Sequence, residues 1–383
     1  MEEGAFGGSG QSPALLAALR GSGVTPAWSG PPILEGIGLS RHFGGGGLFG
    51  RPAVVRAVDD VSLAVRPGET LALVGESGSG KSTLGRLLLR LIEPSAGDVL
   101  FEGRNIGLLR PAELARLRRE MQVVFQDPLA SLNPRMSVER IVGEPIWLHR
   151  LAPASERRGR VAELLRTVGL PPEQMGRRPH EFSGGQRQRI GIARALACEP
   201  RLILGDEPVS ALDVSVQAQI VNLLEELKER LGLTLLIVAH GLAVVRHMSD
   251  RVAVMYLGRI VEVAATDALY ETPLHPYTQA LLAATPASSP HARRARTLLQ
   301  GDMPSPVRPP PGCHFHTRCV HARPPCRERA PALEAAGDGR RVACHFWREI
   351  AGAGAAAVLP PSDALVRRLA LFEAAQRARR AAP

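Results

Sequence analysis

The run Gly75-Glu76-Ser77-Gly78-Ser79-Gly80-Lys81-Ser82 has glycines spaced so that successive backbone amides can turn inward, followed by a lysine and a hydroxyl. That spacing, G-x-x-x-x-G-K-[ST], builds a cradle of N–H groups for phosphate oxygens, helped by the partial positive charge at a helix start. In such a cradle Lys81 reaches the terminal phosphates and Ser82 ligates Mg²⁺, with Thr83 the next residue of the binding segment. The lysine stands out because Lys81 and Lys228 are the only lysines in a chain whose other cations are arginines. A compact ammonium is evidently what position 81 requires. Far downstream, Asp206 and Glu207 end an apolar run. Asp206 is placed to hold the metal through water, and Glu207 to orient or deprotonate an attacking water. Gln126 and His240 each end a further apolar run. Gln126 can complete the Mg²⁺ shell and sense the terminal phosphate, and His240 can hydrogen-bond that phosphate or Glu207. Ser183 precedes Gly184, Gly185 and Gln186 at a helix start, where it can act as the cap and leave amides open to an anion.

These residues need a scaffold of alternating strands and helices. Residues 70–74, 122–125, 201–205 and 234–239 read as short strands, and 81–92, 113–120 and 214–231 as helices. Residues 136–200 read as largely helical, broken at Pro153 and Pro171-Pro172. The alternation predicts an α/β fold with a mainly parallel sheet, and carboxylates at strand C-termini then share one crevice with the phosphate loop. Residues 1–32, rich in Gly, Ser, Pro and Ala, read as a flexible tail. The main domain is expected over 33–265, a smaller C-terminal unit over 266–350, and a linker over 351–383. Within that last segment, 362–380 reads either as an amphipathic helix, with Leu365, Leu369 and Phe372 on one face, or as an unattached basic tail.

Composition narrows the class. Of the 383 residues 45% are hydrophobic and 22% charged, as in a globular protein, and no run approaches the ~20 apolar residues of a spanning helix. The N-terminus lacks a basic-then-apolar signal segment. A cytoplasmic protein that meets a membrane only through a partner is expected. The net charge of +10 comes from scattered arginines with few aromatics among them, which argues against nucleic acid binding.

The ordered series, from the phosphate loop and Gln126 through Ser183-Gly184-Gly185-Gln186, Asp206-Glu207, Ser210-Ala211-Leu212-Asp213 and His240, resembles the ABC ATPase superfamily. The resemblance implies a P-loop cassette with a parallel-sheet core, an antiparallel β subdomain and a helical subdomain at about 127–197. It implies ATP and Mg²⁺ held by Ser82, Gln126 and Asp206, hydrolysis by Glu207 and His240 with Lys81, and a dimer in which Ser183–Gln186 closes on the opposite subunit's ATP. It also implies an aromatic stacked on adenine, Phe43 or its rival Phe49, and a nucleotide contact by Asp213. Phe125-Gln126-Asp127-Pro128, Ser131-Leu132-Asn133-Pro134-Arg135-Met136, His180-Glu181-Phe182 and His275-Pro276-Tyr277-Thr278 are similar to the oligopeptide/dipeptide (and nickel) importer ATPases. That branch implies a second, non-identical ATPase subunit, two membrane permeases and an extracytoplasmic binding protein. It places the chain peripherally on the cytoplasmic face of the membrane. Two positions depart from the family pattern: Gly241 replaces the usual Asp, which predicts looser bonding beside His240, and Gly205 replaces a larger residue, which predicts a more flexible strand end. Soluble ABC ATPases acting on DNA or translation usually carry two cassettes or a long coiled coil, and this chain has neither. A non-hydrolysing scaffold is the remaining rival.

Four of the five cysteines, Cys313, Cys319, Cys326 and Cys344, fall in the C-terminal unit, while Cys198 reads as a small core residue. Clustered cysteines in a cytosolic chain favour metal over disulfide. Their spacings are wider than those of zinc sites, though His314, His316, His321 and His345 lie nearby. Residues 312–319 and 342–346 resemble the extension of peptide-importer ATPases in which four cysteines hold an iron–sulfur cluster. The resemblance implies a [4Fe–4S] cluster, with zinc and free or disulfide-bonded thiols as alternatives.

Overall fold

The computed structural model describes residues 30–44, 54–284 and 301–353. Most of the expected tail, Phe49 and the segment 362–380 lie outside them. Strands β1 (Leu34–Gly44) and β2 (Val54–Val65) pair antiparallel. After β3 (Thr70–Val74), strands β4 (Ala96–Phe101) and β5 (Arg104–Asn105) extend that pair into a four-stranded antiparallel sheet, in the order β2-β1-β4-β5.

The second sheet holds the chemistry. Strands β6 (Met121–Val124), β7 (Leu202–Asp206) and β8 (Thr234–Ala239) run parallel with β3 and with β9 (Arg251–Tyr256). β10 (Arg259–Ala265) is antiparallel to β9. Every residue of β3, β7 and β8 is buried, which explains their unbroken apolar runs, because helices or sheet cover both faces. Period-two alternation then splits them between two cores. Leu71, Leu73, Leu204, Leu236 and Val238 pack with the helix Lys81–Leu88 and the antiparallel sheet. Ala72, Val74, Ile203, Leu235 and Ile237 pack with the helices of the opposite side. Each fully buried leucine contributes about 1.5–3 kcal/mol relative to exposure.

The helical layer comprises Val138–Leu148, Ala154–Thr167 and Gly184–Leu196. The helix Val214–Leu231 stops at Gly232, whose φ of 64° lies in the left-handed region that glycine adopts without penalty. The helix expected over 81–92 is shorter and ends at Leu88. There Arg90 turns left-handed and the amides of Leu91 and Ile92 fold back onto the Arg86 carbonyl.

The C-terminal unit is stitched into the sheet. Strand β11 (Glu334–Ala335) pairs with β12 (Arg341–Val342), which pairs with β10, so the eight-stranded order is β11-β12-β10-β9-β3-β8-β7-β6. Glu262 on β10, fully buried, accepts the amides of Leu274 and His275 and anchors the turn that leads out of the sheet.

Gly205 differs from its expectation. An added Cβ would lie 2.8 Å from the end of the Ile237 side chain and 3.0 Å from the Pro208 ring, so the strand end is closely packed and a larger residue would require Ile237 to shift. Gly241 has ordinary backbone geometry, and a side chain there would meet only Val244, at 4.0 Å.

Candidate active site

Because β6, β7, β3 and β8 are parallel neighbours, their C-terminal ends open on one edge, and each sends its next residues there. The loop 75–80 leaves β3, Gln126 lies two positions past the end of β6, Asp206 ends β7 with Glu207 next after it, and His240 follows β8.

Gly75 and Gly80 let the loop turn tightly, with φ of 152° and 104°, and a Cβ at either would lie 2.1 Å from a backbone oxygen. Lys81 is 4% exposed, and its Nζ donates to the carbonyls of Gly75 and Glu76, each at 2.9 Å. Burial lowers its pKa to about 8, opposed by the charges of Glu207, Asp206 and Glu76. Ser79 is fully buried, and its hydroxyl has no hydrogen-bond partner. The Ser82 hydroxyl donates to Asp206 Oδ1 at 2.7 Å, so two oxygens of the kind that magnesium favours lie side by side.

The second half of the site converges on Glu207. Gln126 Nε2 donates to Glu207 Oε2 at 2.7 Å, and His240 Nε2 contacts Glu207 Oε1. Glu207 is buried, whereas the His240 side chain is 39% exposed and reaches solvent. Glu207 has φ 51°, an unfavourable backbone for a residue with a side chain. Its amide donates to the Val238 carbonyl, and the amide and hydroxyl of Ser210 donate to its own carbonyl. This left-handed turn carries the carboxylate away from the Asp206 side, so adjacent acids have different partners. Gln126 therefore stands with Glu207 rather than with the Ser82–Asp206 pair.

Ser183–Gln186 is self-contained. The Ser183 hydroxyl accepts the Gln186 amide and the Gln186 side chain accepts the Ser183 amide, a reciprocal cap, while Gly184 and Gly185 lie against Leu212 and Val216. Asp213 precedes the helix Val214–Leu231 without a side-chain cap bond. Phe43 ends β1, 40% exposed, with the Arg41 guanidinium 4.7 Å from its ring centre.

Cys313, Cys319, Cys326 and Cys344 line one narrow cavity. Gly312, at φ 66°, permits the approach, since a Cβ there would lie 2.5 Å from the Cys326 carbonyl, which accepts the Cys313 amide. Burial and the neighbouring thiols raise Cys313 to about 11 and Cys344 to about 12. Among the described residues, no three His, Cys, Asp or Glu side chains converge closely enough for a single metal ion. The nearby histidines turn elsewhere: ring nitrogens of His314, His316 and His345 face the carbonyls of Leu257, Cys313 and Arg329. Cys198 is buried in the core, its thiol raised by burial.

Residues 58–210 match the family model described as ABC transporter, and residues 261–326 match that of the oligopeptide/dipeptide transporter C-terminal region. The putative oligopeptide transport ATP-binding protein YkfD of Bacillus subtilis is 52% identical over 83% of this chain and 96% of its own. The probable peptide ABC transporter ATP-binding protein y4tS of Sinorhizobium fredii is 55% identical over 86% and 93%. The chain belongs to the oligopeptide/dipeptide branch of the ABC transporter ATP-binding proteins. The dimeric post-hydrolysis cassette MJ0796 bound to ADP and Pi is a solved structure of similar fold, with TM-score 0.54 and 30% identity over 61% of this chain and 99% of that one. Another is cbiO1 from Clostridium perfringens, with TM-score 0.55 and 29% identity over 63% and 91%.

Three features of this ABC transporter ATP-binding protein escaped sequence reasoning. Arg86 lies 3.5 Å from Asp206 Oδ2, and its spacing of four from Ser82 on one helix face is a signal that was there to be read. Gln188, almost fully buried, donates to the Phe125 carbonyl and links the Ser183 helix to the strand end before Gln126. Third, the helices Val138–Leu148 and Ala154–Thr167 form a groove lined by Met136, Glu139, Arg140, Trp147 and Arg158, with Trp147 and Leu148 both more than half exposed. No helix of the described residues is long and apolar enough to cross a membrane.

Proposed function

We propose that the chain is the ATP-hydrolysing subunit of an importer for oligopeptides or dipeptides. The observation that carries this reading is the joining of two halves on one sheet edge: the Lys81–Ser82–Asp206 cradle and the Gln126–Glu207–His240 group. The loop amides and Lys81 hold the phosphates of ATP; Ser82 and Asp206 would hold magnesium, which would supply positive charge beside those phosphates, and Gln126, its Nε2 on Glu207, has only its side-chain oxygen to offer the same ion. Glu207 accepts a proton from water as the water oxygen attacks the γ-phosphorus. The bond from that phosphorus to the bridging oxygen breaks, and ADP leaves. His240 holds the carboxylate in place and is exposed enough to meet the phosphate.

The capped Ser183–Gln186 loop, with Asp213 close by in the chain, faces a second ATPase subunit and completes that subunit's nucleotide site. Phe43 supplies the adenine platform. The groove beside Trp147 takes the cytoplasmic surface of a permease, since an exposed indole among mixed charges suits a protein partner. The complex comprises two permeases, a second and non-identical ATPase subunit, and an extracytoplasmic binding protein that selects the peptide. Membrane vesicles containing the subunits that co-purify with the tagged chain should take up labelled peptide only with ATP. Nickel uptake without peptide uptake would move the cargo to the nickel branch. Salt-sensitive DNA retention with no membrane partner would overturn the reading.

The cysteine cavity supports a [4Fe–4S] cluster held by Cys313, Cys319, Cys326 and Cys344. A tetrahedral zinc ion with Zn–S of about 2.3 Å needs sulfurs about 3.8 Å apart, and no such close group is present among the described residues. Four cysteines lining one cavity are the donor set of a cluster, which when bound would supply the positive charge that keeps buried thiols ionised. Anaerobically purified protein is expected to carry about four irons and four acid-labile sulfides per chain. Cys344→Ser should lower both and bleach the visible absorbance. Stoichiometric zinc, or metal-free protein with unchanged stability, would refute the cluster.

A further inference from the structure

Glu76 is the one acidic residue of the phosphate-binding loop, and its surroundings come from the far end of the chain. Its amide donates to the Tyr277 hydroxyl at 2.8 Å. The carbonyl of that same peptide unit, on Gly75, accepts Lys81 Nζ at 2.9 Å. One peptide plane thus has its N–H fixed by Tyr277 and its C=O on the lysine. Arg318 Nη1 donates to both Glu76 carboxylate oxygens, at 3.1 and 3.0 Å, and the Arg318 side chain is 7% exposed. Tyr277 is itself fully buried in an aromatic cluster with Tyr256 and Phe315, with ring centres 4.7 to 5.4 Å apart.

Simple wedging of the C-terminal unit against the sheet does not require these contacts. A carboxylate inside a loop that must accept a polyanion repels its ligand, and the repulsion grows in a buried, poorly screened site. Arg318 cancels that charge and draws the carboxylate to its own side. Tyr277 removes the Glu76 amide from the set that can face phosphate and fixes the carbonyl on which Lys81 rests.

We propose that Tyr277 and Arg318 are positioning residues for ATP, acting through the Gly75–Glu76 peptide and the Glu76 carboxylate, so that the C-terminal unit sets the affinity of the phosphate site. The proposal rests on the reading of residues 75–82 as the ATP phosphate site. The full-length chain is titrated with ATP, and KM and kcat are measured in the assembled complex. Arg318→Met should weaken ATP binding about tenfold, as expected for a lost charged hydrogen bond, and raise KM more than it lowers kcat. Arg318→Lys should lose less. Tyr277→Phe should weaken binding about threefold to tenfold, because it frees the peptide without adding charge.

The decisive arm is rescue. Glu76→Gln combined with Arg318→Met removes both charges and should recover most of the lost affinity, whereas a merely structural role for Arg318 predicts that the double variant stays as weak as the single one. Glu76→Gln alone, which leaves the Arg318 cation uncancelled beside the phosphates, should bind ATP more tightly than the parent in protein whose melting curve shows it folded. Unchanged binding in Arg318→Met, failure of the rescue, or weaker binding in Glu76→Gln would each overturn the proposal. Failure of the parent chain to bind ATP would instead sink the ATP-site reading beneath it.

Discussion

Glu207→Gln is expected to lower ATP turnover about 10³-fold, within the range that a general base contributes, while ATP binding stays close to that of the parent. The substitution is nearly isosteric. It leaves a side-chain oxygen to accept from Gln126 Nε2, now 2.7 Å from Glu207 Oε2, and leaves the Ser82–Asp206 pair untouched. What disappears is the buried carboxylate in contact with His240, hence the group that can take a proton from water. The backbone at φ 51° imposes a strain that glutamine shares, so stability should change little. Steady-state phosphate release and an ATP titration separate the two outcomes. Binding without release identifies Glu207 as the base, and turnover within tenfold of the parent would require another. A second consequence follows from the self-contained Ser183–Gln186 cap. If that loop completes a partner's site, the variant with ATP should persist as a larger species in size-exclusion chromatography and dissociate once ATP is removed.

Much of this scaffold could be read in advance because its strands are buried on both faces. Residues 234–239 and 214–231 are a strand and a helix at the positions their apolar patterns predict, since an unbroken run and a 3.6-residue period leave little ambiguity. The phosphate loop was legible for a different reason: glycine spacing there is a direct record of backbone geometry, as φ at Gly75 and Gly80 makes plain. Side-chain pairings were legible only in part: His240 meets Glu207 as its place at a strand end suggested, but Gln126 does not keep to its expected company. Nothing in the order of residues says that Gln126 bonds Glu207 rather than joining Ser82 and Asp206, because the choice depends on a left-handed turn at a single non-glycine residue. Gly205 misled for a related reason. A glycine in a strand suggests freedom, yet here Ile237 and Pro208 close on it from the neighbouring strand and turn. The contact of Tyr277 with Glu76 spans 201 positions and leaves no periodic trace. Likewise β12 is too short for a pattern and acquires its strand identity only by pairing with β10.

Lys81→Met should separate stability from binding in opposite directions. In the nucleotide-free chain the ammonium is almost fully buried, and burial lowers its pKa from 10.5 to about 8. That depression corresponds to about 3 kcal/mol of cost for keeping the charge in the folded state. The sign is set by linkage. Below about pH 8 the lysine is charged both folded and unfolded, and the full cost is present. Between about 8 and 10.5 the folded protein sheds the proton first and the cost is relieved, and above 10.5 it is gone. Methionine has no charge to bury but forfeits the bonds to the Gly75 and Glu76 carbonyls, so the gain is smaller than the whole cost. At pH 7 the variant should therefore melt slightly above the parent, and the difference should vanish as the pH rises through 8 towards 10. ATP binding behaves oppositely. Losing a cation beside the phosphates should weaken ATP at least about 100-fold at pH 7, as expected for charged hydrogen bonds in a buried site. In the parent the bound phosphates hold the proton on Lys81, so affinity should decline above about pH 8 with a slope approaching one proton per ATP. The variant should lack that slope. Thermal melts and ATP titrations at pH 7, 8 and 9 read both effects. A variant that melts well below the parent at pH 7, or a parent whose affinity is flat across pH 8, would show that the buried ammonium is not strained in the way its depth implies.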